Sequence, residues 1–528
     1  MARLSDRRFN IDDFSRISRR GLLGGLAGSA LVIGGDALWS RISAAPIFSK
    51  YPFALGVASG DPTASGVVLW TRIVPEPYHP NGGMPNQAVE VGWEVASDRS
   101  FRTIVKKGTE IAYPELAHSV HVEVDGLEPA REYFYRFTVG SERSMAGRTK
   151  TLPAAGSTQE VRFGVGGCQR YEHAFFTAYD EIAADNLDFF FLYGDFIYES
   201  RSVLKIADPS HIAREMPIAL QECFSLADYR LRYAVYRSDA KLMGAHRTTP
   251  FIPIFDDHEV SNDWMSDVHY YGHPNEVFLL RRAAAFQAWY EHQPVRKALL
   301  PRAGSMTAYR SFDIGALMRF NVLDTRQFRD GRFCKGKLTS ACAPDASAEG
   351  QMLGSTQEAW LLNSLKSSSA QWNVMGQQIL FSQSHLIPKA DKWDRAPVAR
   401  QRLVDAMADG KIANPVVLSG DLHFAVGADI KKNFNDPNSP TIGTEILNLA
   451  IASNPPSDAT QPFFDKVKTE SAHVKYLSRE RGWVRHTVNA STWRADVRAI
   501  DNPMVENSPM KQAATLSIAA GKPGLQVG

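Results

Sequence analysis

Four short clusters in this sequence hold residue types that bind metals or move protons. They are Cys168 with Gln169, Asp195 with Tyr198, the run Asp256-Asp257-His258-Glu259, and Asp421 with His423. Thiolate, carboxylate, phenolate and imidazole are the donors that metal ions recruit. Each cluster also has a plainer explanation. Gly-Asp after an apolar run is often a turn or helix cap, and an acidic quartet is often a solvated turn. A cysteine is more often a small buried hydrophobe than a ligand. Asp421 and His423, two apart on one face of an extended chain, could simply pair. Their shared context makes them informative, because each closes a predicted strand. "RFGVGG" runs into Cys168, "FFFLYG" into Asp195, "FIPIF" into Asp256 and "NPVVLSG" into Asp421. In open α/β sheets the ligand site lies beyond the carboxyl ends of the strands. The four clusters are therefore expected on one rim, and carboxylates gathered there without positive partners in sequence call for a cation.

The elements that must position these residues fall into two regions. Over residues 46–155 the pattern is short alternating strands such as "GVVLWTRI", "AVEVGWEVAS" and "YFYRFTVG", separated by Pro/Gly/Asn turns. "GLEPAREYFYRF" places Leu127 and Pro129 ahead of Tyr133, as in the tyrosine corner of immunoglobulin- or fibronectin-like sandwiches. After "LPAAGST", residues 156–528 alternate strands with helices. "LDFFFLYGD" is apolar on both faces, as in a buried parallel sheet. "EHAFFTAYDEIAA" and residues 276–292, 357–365 and 398–409 are predicted helices, and "RGWVRHTVNASTWRADVRAI" a late antiparallel pair. The fold class is α/β, a sheet covered on both sides, preceded by a small all-β domain.

Bulk properties narrow the function. The 528 residues are 44% hydrophobic and 22% charged with a net charge of +2, which gives no reason to expect nucleic acid as a partner. Residues 1–45 read as a signal peptide. Arg19 and Arg20 precede a weakly apolar Gly/Ala/Leu run that ends in Ser43-Ala44-Ala45, and the paired arginines point to the Tat export machinery. The run is short and interrupted by Asp36, so no stable membrane anchor is expected. The expected location is periplasmic or secreted. Of the four cysteines, Cys334 and Cys342 could close a disulfide in an exported loop, while Cys168 and Cys223 lie elsewhere.

"GDFIYE", "DDHEVSNDW" and "LSGDLHF", with "FALGVASGDPTASGVVLWTR" upstream, occur here in a fixed order. Together they resemble the alkaline phosphatase D (PhoD-like) family of the calcineurin-like metallophosphoesterases, over nearly the whole chain after the leader. The resemblance implies a four-layer αββα metallophosphatase sandwich and a site with ferric iron, Fe(3+), and calcium, Ca(2+). By resemblance, iron is held by Cys168, Asp195, Tyr198 and His423. Asp195 also bridges to calcium, Asp421 lies on the calcium side, Asp257 takes the place of the superfamily's metal-binding asparagine, and Asn262 is a further candidate. Thiolate and phenolate are strong anionic donors that suit Fe(III), and oxygen donors suit calcium. Where the superfamily commonly ends a strand in a histidine ligand, this chain offers Gln377 and Gln378, which weakens the case for zinc or a second iron.

The implied activity is hydrolysis of small-molecule phosphate mono- and diesters by a metal-activated hydroxide. Asp195, Asp257, His258, Asp421 and His423 form the catalytic set. His258 is an orienter or general acid, and His385 in "FSQSHL" is a vaguer candidate of that kind. Arg281 or Arg282 could touch a phosphate oxygen. The alternatives are a phosphodiesterase or phospholipase D-type specificity, an exported iron redox protein, and a non-catalytic binding protein. Residues 200–250 and 260–275 are expected to shape the pocket.

Overall fold

The computed structural model describes residues 47–202, 212–330, 350–384, 391–454 and 461–528. The leader, the Cys334–Cys342 segment and His385 lie outside them. Two sheets form the body. In the ten-stranded sheet, Val161–Gly166, Phe189–Leu192, Pro250–Pro253 and Val57–Gly60 run parallel as neighbours. In the seven-stranded sheet, Met318–Val322, Trp372–Gly376, Pro415–Ser419 and Thr441–Leu447 do the same.

Aromatic side chains explain why the two sheets stack. Every residue of Phe189–Leu192 is buried. Phe163 and Phe189 stack 4.7 Å apart, and Phe320 of the second sheet meets Phe191 at 5.1 Å. Gly376 allows this approach, since a Cβ there would sit 2.6 Å from the Phe320 ring and 2.9 Å from that of Phe191. The helices Ala240–Thr248 and Asn275–His292 pack on the outer face of the first sheet, and Gly354–Lys366 and Pro397–Ala408 on the second. The result is the expected four layers.

The small all-β region is present, but its second sheet is not separate. Val89–Ala96, Ile104–Ala112, Glu132–Val139, Glu142–Arg143 and Gly147–Lys150 pair with one another. They face Val57–Gly60, Gly66–Arg72 and Ser119–Asp125 across a core of Val67, Leu69, Val122, Val91, Tyr135 and Phe137. Those three facing strands are the end of the ten-stranded sheet, so its hydrogen bonding runs unbroken from one region into the other. The tyrosine corner forms as expected, with the Glu128 N–H donating to Tyr133 Oη at 2.9 Å.

Two local expectations change. The helix predicted over residues 172–184 is confined to Ala178–Ala184, because the Phe175 N–H donates instead to the Pro503 carbonyl at 3.1 Å. The 200–250 segment contains two capped helices rather than loop alone. Ser225 and Asp228 form a capping box for Leu226–Arg237, and Asp239 caps Ala240–Thr248.

Candidate active site

The expected rim exists, and both sheets contribute to it. Parallel strands of the first sheet deliver Cys168, Asp195 and Asp256, while Pro415–Ser419 of the second delivers Asp421 and His423. The turns are stitched together. The Cys168 N–H donates to the Gly194 carbonyl at 3.1 Å, and the Ser453 N–H to the Cys168 carbonyl at 3.0 Å. These turns are unusual in their backbone. Cys168, Asp195, Asp421 and His423 have φ of 51°, 55°, 66° and 62°. Non-glycine residues rarely enter this left-handed region, which raises the energy by roughly 1 kcal/mol or more per residue. Four such residues share this rim, while others lie elsewhere among the described residues, as at Phe101 and Asn186. Gly194 has φ 130°, and a Cβ on it would fall 2.3 Å from Asp256 Cβ, so the exit from the central strand requires glycine.

One half of the site is a mixed donor set. Tyr198 Oη donates to Asp195 Oδ2 at 2.8 Å and lies 3.1 Å from His423 Nε2. Ligand atoms of Cys168, Asp195 and His423 lie within 4.8 Å of one another. Ser453 Oγ donates to Tyr198 Oη at 2.7 Å, and the Asn454 side-chain amide meets His423 Nδ1 at 2.6 Å, fixing the ring. Burial, together with Asp195, pushes the Cys168 thiol and the Tyr198 phenol well up. Burial also lifts Asp195 to about 7, with the His258 charge opposing and Asp257 adding to the rise.

The other half is acidic. Asp256, Asp257 and Asp421 bring oxygens within 4.8 Å, as do Asp257, Asp263 and Asp391. Sequence reasoning finds no positive partner here, but the fold supplies one. Arg326, fully buried, lies 2.6 Å from Asp256, 3.5 Å from Asp257 and 3.7 Å from Asp421, and also forms an ion pair with Asp391. Arg329 pairs with Asp391 as well. Arg326 is held well above even the usual arginine range, because these acids outweigh its burial. Acids outnumber these two cations, and burial with neighbouring acids pushes Asp195 and Asp256 above the ordinary carboxylate range. The buried Oδ2 of Asp256 and Oδ1 of Asp257 have no hydrogen-bond partner. Buried carboxylate oxygens left in this state fit a bound cation.

Around these two halves sits a frame. His258 Nδ1 meets Glu199 Oε2 at 2.7 Å, and the His258 backbone N–H donates to Asp195 Oδ1 at 3.3 Å. Ligand atoms of Asp195, Asp257 and His258 lie within 4.8 Å of one another. Glu199 also accepts the Asn262 backbone N–H at 2.8 Å. Glu259, fully buried, accepts the N–H groups of Asp195, Phe196 and Asp256 at 3.0, 2.5 and 2.7 Å. It is the clamp on the left-handed turn at Asp195.

Arg281 and Arg282 each have some of their nitrogens engaged, while Arg281 Nη2 and Arg282 Nε have no hydrogen-bond partner. Arg281 is held by Tyr229 Oη at 3.0 Å and Glu222 at 2.9 Å, and Arg282 donates to the Ser266 carbonyl at 2.5 Å. Gln377 and Gln378 are buried, and their amides hold nearby loops through Ile379, Trp393, Thr325 and Leu323. Sequence reasoning passes over Glu199, Arg326, Asp391, Ser453 and Asn454. For Arg326 a signal exists, since "LMRFNVLDTR" is another predicted strand that ends in polar residues.

Residues 163–497 match the family model described as PhoD-like phosphatase, and residues 39–153 match PhoD-like phosphatase, N-terminal domain. The chain is 41% identical over 508 residues to alkaline phosphatase D of Bacillus subtilis (strain 168), covering 94% of this chain and 86% of that one. Among solved structures, one titled Structure of PhoD superposes with a TM-score of 0.86 at 42% identity, covering 92% of this chain and 93% of that one. A purple acid phosphatase from yellow lupin (Lupinus luteus) seeds shares the fold at a TM-score of 0.52 and 14% identity, over 88% of this chain and 73% of that one.

Proposed function

Since this chain belongs to the PhoD-like phosphatase family and is a phosphoesterase of that family, we propose that it is an exported, metal-dependent enzyme acting on both phosphate monoesters and diesters. The observation that carries this reading is the meeting of a Cys/Asp/Tyr/His donor set with an all-oxygen acidic set on one rim. The first suits ferric iron, held by Cys168, Asp195, Tyr198 and His423. The second suits calcium, held by Asp195, Asp257 and Asp421, with Asn262 a further candidate. Bound there, the metals supply charge toward phosphoryl oxygens and acidify an attacking water.

The chain's own residues do the rest. Asp195 stands between the two sets, so one carboxylate fixes their relation. Glu259 keeps its turn in place, and Ser453 and Asn454 orient Tyr198 and His423. Glu199 holds His258 through Nδ1, which leaves Nε2 to donate a proton to a departing alkoxide. Arg326 tempers repulsion among the acids. The paired arginines of the leader support export by the Tat route.

The test is hydrolysis of nitrophenyl phosphate and bis(nitrophenyl) phosphate by protein stripped with chelator and reloaded with ferric iron and calcium. Both substrates should turn over, with rates lost on stripping and restored on reloading. Full activity in metal-free protein would refute the metal reading, and silence toward one substrate would fix the specificity to the other.

A further inference from the structure

A cavity of about 460 Å³ lies between the 76–87 loop and the start of the Leu226–Arg237 helix, and none of the residues assigned above to the metal sets lines it. Arg72 forms part of its wall and is only 3% exposed. Its Nε donates to the Ala117 carbonyl at 2.8 Å and its Nη1 meets His292 Nε2 at 2.8 Å. Among the described residues its Nη2 has no hydrogen-bond partner and no carboxylate in ion-pair range. That nitrogen faces the 76–87 loop, where a Cβ on Gly82 would sit 3.4 Å away. The acid that most favours its charge, Glu291, is committed to Arg230 at 2.7 and 2.5 Å and to Gln287 at 3.0 Å. Burial lowers Arg72 only to about 10, so the guanidinium stays charged at neutral pH.

The same cavity receives a helix N-terminus. Ser225 caps the helix, and Leu226 and Ala227 of its first turn line the cavity. The acid of that turn, Asp228, is already bonded to the N–H groups of Phe224 and Ser225 at 3.1 and 2.8 Å. A buried cation with an open donor and the positive end of a helix thus share one cavity. Met84 and Pro85 give it an apolar side, and Asn81 and Asn86 a polar one. We propose that this cavity binds a small oxyanion of the phosphate class, held by Arg72 Nη2 and the Leu226 and Ala227 backbone N–H groups of the Leu226–Arg237 helix, the Asp228 N–H being taken by Ser225 Oγ.

The test titrates the metal-loaded full chain with orthophosphate and, separately, with methylphosphonate, by calorimetry. Two classes of orthophosphate site are expected, one in the active site and one in the cavity. Asp195→Asn should remove the first alone. Ala227→Glu places a competing carboxylate at the exposed mouth, in a helical position that tolerates acid, and should weaken the second at least about tenfold while nitrophenyl phosphate turnover persists. Arg72→Gln should do the same if it folds. Methylphosphonate binding as tightly as orthophosphate would assign the site to phosphoryl groups of organic esters, and binding of orthophosphate alone to the free ion. A single class of site that disappears in Asp195→Asn, or two classes retained in Ala227→Glu, would overturn the proposal. Failure of the phosphoesterase reading would instead leave the cavity class intact.

Discussion

The Tyr198 phenol donates its proton to Oδ2 of Asp195 at 2.8 Å, with both groups buried on the rim where the two sheets meet. A phenol held this way must lose that proton before it can bind iron. Ferric loading should therefore convert it to phenolate and produce a visible charge-transfer band. Tyr198→Phe should abolish the band and leave the fold unchanged by circular dichroism. A colourless iron-loaded wild type would remove Tyr198 from the donor set.

Asp195 predicts a pH dependence. With burial raising it from 3.8 to about 7, the native metal-free protein keeps a proton that the unfolded chain has lost. Stability of the metal-free protein should therefore fall as pH rises between those values. A bound cation takes the place of that proton. Metal affinity should rise over the same interval, and loading should release protons, measurable by calorimetry in two buffers of different ionisation heat. Affinity independent of pH would contradict the assignment.

Glu199 and His258 predict a second dependence. Burial opposes both charges, but their contact holds Glu199 at about 2 and His258 well above the ordinary imidazole range. His258 then stays protonated through neutral pH and loses its proton only in alkali. In Glu199→Gln that loss should occur at lower pH, so the alkaline limb of the kcat profile should shift down, with turnover reduced about 10–100-fold. An unshifted limb would exclude His258 as the proton donor.

Arg326 should matter most when metal is absent. Removing one partner from a buried ionic cluster destabilises by about 3–5 kcal/mol. Arg326→Met should show that loss in urea melts of stripped protein, and calcium should restore part of it by binding the native state. An effect of the same size with and without calcium would separate the arginine from the metal site.

The Glu259 clamp is a backbone prediction. Burial and nearby Asp195 push its carboxyl up to about 8, against three N–H donors that favour the charged form. In Glu259→Gln the amide offers one acceptor where two oxygens served three donors. The loss should be about 2–3 kcal/mol in chemical denaturation, accompanied by weaker metal binding.

Much of this site is legible in the sequence because it is written at strand ends. Asp195, Asp257, Asp421 and His423 can be found by asking where buried strands stop. The Tyr133 corner is legible because its partner, Glu128, is five residues away. Arg326 is legible only as a residue at a strand end, because its role depends on Asp256, Asp391 and Asp421, which come from other strands and loops. The left-handed backbone of Cys168 and His423 has no mark either, since neither is the glycine that such a conformation normally selects. The helix over Leu226–Arg237 is obscured by Arg232 and Arg237, which look like solvent-facing residues but are buried. Arg232 is bonded to the Tyr198 and Ser200 carbonyls, and Arg237 lies over Trp70.

The parallel pairing of Val57–Gly60 with Pro250–Pro253 also sets an order of events in folding. The first strands made cannot find their neighbour until the chain has been synthesised as far as Pro253, and closing so long a loop is slow. Until then Val57–Gly60 offers an apolar, unpaired edge to any other chain it meets. The early strands thus depend on the rest of the molecule for protection from aggregation, and a fragment ending at residue 155 would never obtain it.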